Sequence, residues 1–71
     1  MDSKAFLKDL KAANTQLAAT KALMVTMQNG FEPPPDPDKP GLLAQLTLIN
    51  NYVAAIGGIA NALIIDINNS P

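Results

Sequence analysis

Asn29-Gly30-Phe31-Glu32-Pro33-Pro34-Pro35-Asp36-Pro37-Asp38-Lys39-Pro40-Gly41 divides this chain of 71 residues in two. Five prolines fall between positions 33 and 40. Each lacks an N–H, and each pushes the residue before it toward extended backbone. No helix or strand is expected to run through such a stretch. The composition predicts a stiff, polyproline-like connector over 30–41, with Pro37, Pro40 and Gly41 making the turn. Gly30, after a long run without glycine or proline, reads as the residue that ends a helix in the left-handed conformation.

Working outward, the sequence on each side reads as one helix. The N-terminal helix is expected over 3–29, with Asp2 or Ser3 as its cap. The C-terminal helix is expected over 42–68, with Asn69-Ser70-Pro71 as a tail. Both carry apolar residues at alternating spacings of three and four. On the first these are Phe6, Leu10, Ala13, Leu17, Thr20, Met24 and Met27. On the second they are Leu42, Leu46, Ile49, Val53, Ile56, Ala60, Leu63 and Ile67. Unbroken seams of this kind suit two helices packed along their length at a shallow angle. With a connector this short, the expected fold is all-α: a single antiparallel two-helix hairpin with a proline-rich turn.

A hairpin accounts for one seam per helix and leaves much of the second helix unexplained. Leu43, Leu48, Ala55, Ile59, Ala62, Ile64 and Ile65 lie off the seam, and no charged residue occurs from 40 through 65. A helix apolar nearly all round is expected to be buried nearly all round, and one partner helix covers one face only. A core of this chain length supplies roughly 3–5 kcal/mol without a staple. There is no cysteine for a disulfide and no histidine or thiolate for a zinc site. Oligomerisation or a membrane is therefore expected to supply the missing cover.

The remaining line on the second helix is Thr47, Asn51, Ala54, Gly58 and Asn61, all small or neutral and polar. Gly57-Gly58 in mid-helix costs about 1 kcal/mol per glycine relative to alanine, a cost that usually accompanies close helix approach or a bend. This line reads as a tight contact between subunits or the wall of a narrow uncharged channel; the plainer reading is the polar edge of a bundle.

Charge is segregated. Residues 1–29 carry Lys4, Lys8, Lys11 and Lys21 against Asp2 and Asp9, a balance of +2, and residues 30–71 carry Lys39 against Glu32, Asp36, Asp38 and Asp66, a balance of −3; together they give the net −1 of the whole chain. Ends of opposite sign favour association of copies. Lys4, Lys8 and Lys11 share one face, fit for the acidic connector of another copy, for an anionic membrane surface, or simply for solvent. Arginine is absent, which disfavours base readout and phosphate clamping, so no nucleic-acid partner is expected. With no Cys nucleophile, no His base and scattered carboxylates, neither an enzyme nor a cofactor or metal site is expected. No basic segment followed by an apolar stretch opens the chain, so no cleaved secretory signal is expected.

Pro37-Asp38-Lys39-Pro40-Gly41-Leu42-Leu43-Ala44 resembles the turn of type III secretion needle and pilus subunits, in which P-x-x-P and one further residue precede Leu-Leu-Ala. Tyr52 downstream fits the same pattern. Ala62-Leu63-Ile64-Ile65-Asp66-Ile67 is similar to the needle ending Ala-x-Ile-Ile-x-x-aromatic, with Ile67 at or near the aromatic position. The resemblance covers 37–67. The stretch between Tyr52 and Ile64 is shorter than in animal-pathogen needles, closer to the short pilins of plant-associated and rhizobial bacteria. The resemblance implies a homopolymeric helical tube at the bacterial surface, with the C-terminal helix toward the lumen. It implies export through the secretion apparatus, chaperones that keep the monomer apart inside the cell, and unfolded effectors as cargo. Two alternatives stand beside it: a membrane-associated hairpin such as a conjugative-type pilin or small pore former, and a soluble helical oligomerisation module.

Overall fold

The computed structural model of the chain describes residues 2–71. Among these residues the regular structure is entirely helical. The helix α1 spans Ser3–Asn29, a 3₁₀ turn spans Asp36–Asp38, and the helix α2 spans Lys39–Asn69. The chain divides into two units at the bond between Pro33 and Pro34, and each is described by itself.

In the first unit, α1 starts because Asp2 is its cap. The Asp2 carboxylate accepts from the backbone N–H groups of Lys4 at 3.0 Å and Ala5 at 3.5 Å, satisfying two of the donors that a helix N-terminus leaves without partners. Alanine and straight-chain residues carry the helix forward. Thr15, Thr20 and Thr26 donate their hydroxyls back to the carbonyls of Lys11, Gln16 and Ala22, so their polar atoms do not interrupt it. The helix ends differently from the expectation. Gly30 has φ −97° and ψ 14°, and no glycine among the described residues has positive φ. The Gly30 N–H still donates to Thr26 O at 3.1 Å, and the Phe31 N–H donates to Gln28 O at 3.3 Å. The last turn tightens and the chain then leaves the helix through 31–35, which form no regular structure, so the left-handed freedom of glycine is not used.

In the second unit, Pro35 has φ −59° and ψ 149°, the polyproline geometry. The expected connector is corrected at its other end. Asp36–Asp38 is already a 3₁₀ turn, closed by the Asp38 N–H donating to Pro35 O at 3.0 Å. α2 begins at Lys39, three residues before Leu42, so Pro40 and Gly41 lie inside its first turn and not in the connector. Proline is at home there, because the first N–H groups of a helix have no acceptor within it and the ring presets φ. At the far end α2 includes Asn69 and stops at Ser70, whose N–H and hydroxyl both donate to Ile67 O, at 3.2 and 2.7 Å. At 1.5 Å per residue, α1 is about 40 Å long and α2 about 46 Å.

No described residue is buried. Phe6 and Met24 on α1 and Ile49 and Leu63 on α2 are half-buried, and the other seam residues, Leu10, Leu17, Leu46, Val53 and Ile56 among them, are exposed.

Candidate assembly faces

α2 carries its residues on three faces. The seam Leu42, Leu46, Ile49, Val53, Ile56, Ala60, Leu63 and Ile67 runs along one. On one flank lie Leu48, Tyr52, Ala55 and Ile59, a second apolar face; Ile59 is 62 % exposed and Tyr52 65 %. On the other flank lie Thr47, Asn51, Ala54, Gly58 and Asn61, all on the unbroken helix. The structure thus keeps these five on one line along α2, about 21 Å from end to end.

The small-residue line has no purpose that α2 itself supplies. A Cβ added at Gly57 or Gly58 would meet nothing within 4 Å, and α2 continues through both. The glycines therefore neither relieve a clash nor terminate the helix, while their entropic cost of about 1 kcal/mol each remains. Close approach by another helix is a use that accounts for that cost. The Thr47 hydroxyl donates to Leu43 O at 2.9 Å, so Thr47 presents its methyl group and a spare acceptor and keeps its proton on its own backbone. Asn51 and Asn61 make no side-chain hydrogen bond among the described residues, and both are exposed.

The line is wider on the helix than these five residues. Asn50, Gly57, Asn61 and Asn68 follow one another at intervals of seven, four and seven, which places them beside the first line on the same side of the helix. The flank is therefore an asparagine and glycine strip about two residues wide. The signal was the heptad interval between Asn61 and Asn68.

The other chemistry on the surface is charge. Asp36 and Lys39 form an ion pair at 2.7 Å across one turn, with both side chains well exposed. It is the one ion pair among the described residues, and at that exposure it contributes at most about 1 kcal/mol. Pairing across i and i+3 locks the start of α2 to the 3₁₀ turn before it. Pro37 sits within that turn and Pro40 two residues beyond it, so the P-x-x-P element covers the passage from the 3₁₀ turn into α2.

Comparison with known protein families, with curated proteins and with solved structures gave no match to this chain. Its functional reading rests on its own residues.

Proposed function

We propose that the chain is the structural subunit of an extracellular tubular needle or pilus of a bacterial type III secretion system, a homopolymer through which unfolded effectors pass. The observation that carries this reading is the exposed, uncharged surface of α2. Eleven large apolar side chains of α2 are exposed: Leu42, Leu43, Leu46, Leu48, Tyr52, Val53, Ile56, Ile59, Ile64, Ile65 and Ile67. Covering one such side chain contributes about 1.5–3 kcal/mol. These eleven are 41–65 % exposed, so covering what remains contributes on the order of 10 kcal/mol, comparable to the net stability of about 5–15 kcal/mol that an ordinary domain has. In the proposed assembly α1 and α2 close into an antiparallel hairpin along their seams. The second apolar face of α2 packs on further copies, and the asparagine and glycine strip makes the closest contact or lines the channel. The turn motif Pro37-Asp38-Lys39-Pro40-Gly41-Leu42-Leu43-Ala44, which resembles that of needle subunits, favours this polymer over a closed oligomer. Export through the apparatus and chaperones inside the cell belong to the same proposal.

Electron microscopy of negatively stained protein, with sedimentation over a concentration series, tests it. Long thin filaments above a critical concentration are the expected result. A discrete dimer or tetramer at every concentration refutes it and favours a soluble oligomerisation module. A second reading has one observation of its own: the helical stretch Asp36–Asn69 is long and apolar enough to cross a membrane, with mean hydropathy 1.6 over its most apolar window. Against a lipid environment stand Gln45, Asn50, Asn51 and Asn61, each costly in hydrocarbon. Recovery only in detergent, with no filaments in aqueous buffer, selects this membrane reading.

A further inference from the structure

We propose that the Lys4, Lys8 and Lys11 face of α1 docks on the acidic segment 32–38 of a second copy. This inference rests on the filament reading and deepens it by naming the polar contact between subunits.

The three lysines occupy successive turns of one face of α1, and all are exposed. α1 holds no carboxylate in ion-pair contact with them: Asp2 is engaged as the helix cap, and the one ion pair among the described residues is the one between Asp36 and Lys39. The lysine face also lies opposite the seam of Phe6, Leu10, Leu17 and Met24. Covering the seam therefore leaves the lysines facing outward, toward neighbours.

The segment 32–38 is the matching surface. It carries Glu32, Asp36 and Asp38, all exposed, with Asp36 paired to Lys39 and Glu32 and Asp38 in no ion pair among the described residues. Pro35 is in polyproline geometry and Asp36–Asp38 is a 3₁₀ turn, and the prolines restrict the backbone of the rest, so docking on it costs little ordering entropy. Lys4 to Lys11 spans about 10 Å along a helix.

For Glu32 the partner is a second copy, because α1 is continuous. Lys11 lies about 27 Å from Asn29 along the helix. Glu32 is three residues past that end, a reach of about 10 Å. The Glu32 carboxylate of one chain cannot fold back to its own Lys11, and it is still farther from Lys8 and Lys4. Every copy offers both surfaces, so each contact leaves a free basic face and a free acidic segment for the next subunit.

A charge-reversal mixing experiment tests the contact, with wild-type polymer measured first. Lys4→Glu/Lys8→Glu/Lys11→Glu is the basic-face variant, and Glu32→Lys/Asp38→Lys is the acidic-segment variant. Each alone is expected to raise the critical concentration for assembly by on the order of tenfold or more, because like charges then meet. High salt narrows that gap. An equimolar mixture of the two restores assembly, an outcome that misfolded variants cannot produce. Wild-type filaments together with unchanged assembly of both variants overturn the contact and leave the filament reading standing. A mixture that stays dispersed overturns it as well, above all where one chain carrying both reversals assembles, since the pairing is then within a chain. Absence of any wild-type polymer removes the filament reading and this contact with it.

Discussion

α1 and α2 are nearly equal in length, 27 and 31 residues, and differ in what water can do for them. α1 has a lysine face, a carboxylate cap, and threonines that return their protons to their own helix. Its apolar surface is one seam with Leu7, Leu23 and Val25 exposed beside it. α2 has no charge from 40 through 65, and its apolar side chains point to more than one side. Charge on a helix surface limits how many neighbours the helix can accept, since each buried charge without a partner costs several kcal/mol. α1 is thus suited to an outer position with one partner. α2 is suited to an interior position with several.

The strongest way to break this contrast is to place the same charge on each helix. Ile59→Lys, on the second apolar face of α2, is expected to abolish assembly at concentrations where the wild type polymerises. Ala22→Lys, on the lysine side of α1, is expected to leave it nearly intact. Sedimentation of the two variants side by side decides, and equal tolerance would remove the distinction between the helices. Next in size is Gly58→Leu, for which there is open space within the chain. The penalty is then steric and between helices, and the variant should remain soluble and helical by circular dichroism while failing to form filaments. Normal filaments from this variant would refute close contact along the strip.

Smaller effects sharpen the picture of each helix alone. Asp2→Ala removes a cap with two bonds and should cost about 1 kcal/mol of α1 stability, read as lost helicity by circular dichroism or faster amide exchange over the first turn. Smallest is Gly30→Ala. A Cβ there meets only Thr26 O, at an ordinary 3.6 Å, and φ is negative. The substitution should stabilise α1 by about 0.4–1 kcal/mol through the unfolded chain. A loss of stability would indicate that Gly30 needs the left-handed conformation after all.

Much of this architecture was legible in the residues. The break between the helices follows from prolines that lack N–H groups, and the cap at Asp2 follows from a short carboxylate preceding alanine-rich sequence. The three faces of α2 follow from the helical period, and so does the strip that Thr47, Asn51, Ala54, Gly58 and Asn61 mark out. Less legible was the width of that strip. Asn50 and Asn68 were hidden by reading a single line where the helix surface offers a band. The conformation of Gly30 was misread because a glycine after a helix permits the left-handed turn without requiring it.

The amino-acid sequence by itself determined two helices, a proline-rich break and an uncharged α2, because these depend on contacts within a few residues and on the chemistry of single side chains. Where α2 begins was decided only by the three-dimensional structure. Asp36, Asp38 and Lys39 close a 3₁₀ turn with an ion pair across it, and that geometry carries the helix start back from Leu42 to Lys39 with Pro40 inside the first turn. The structure alone also showed that Gly57 and Gly58 relieve no clash inside the chain. Helix period tells which residues share a face, but only coordinates tell what stands beside it.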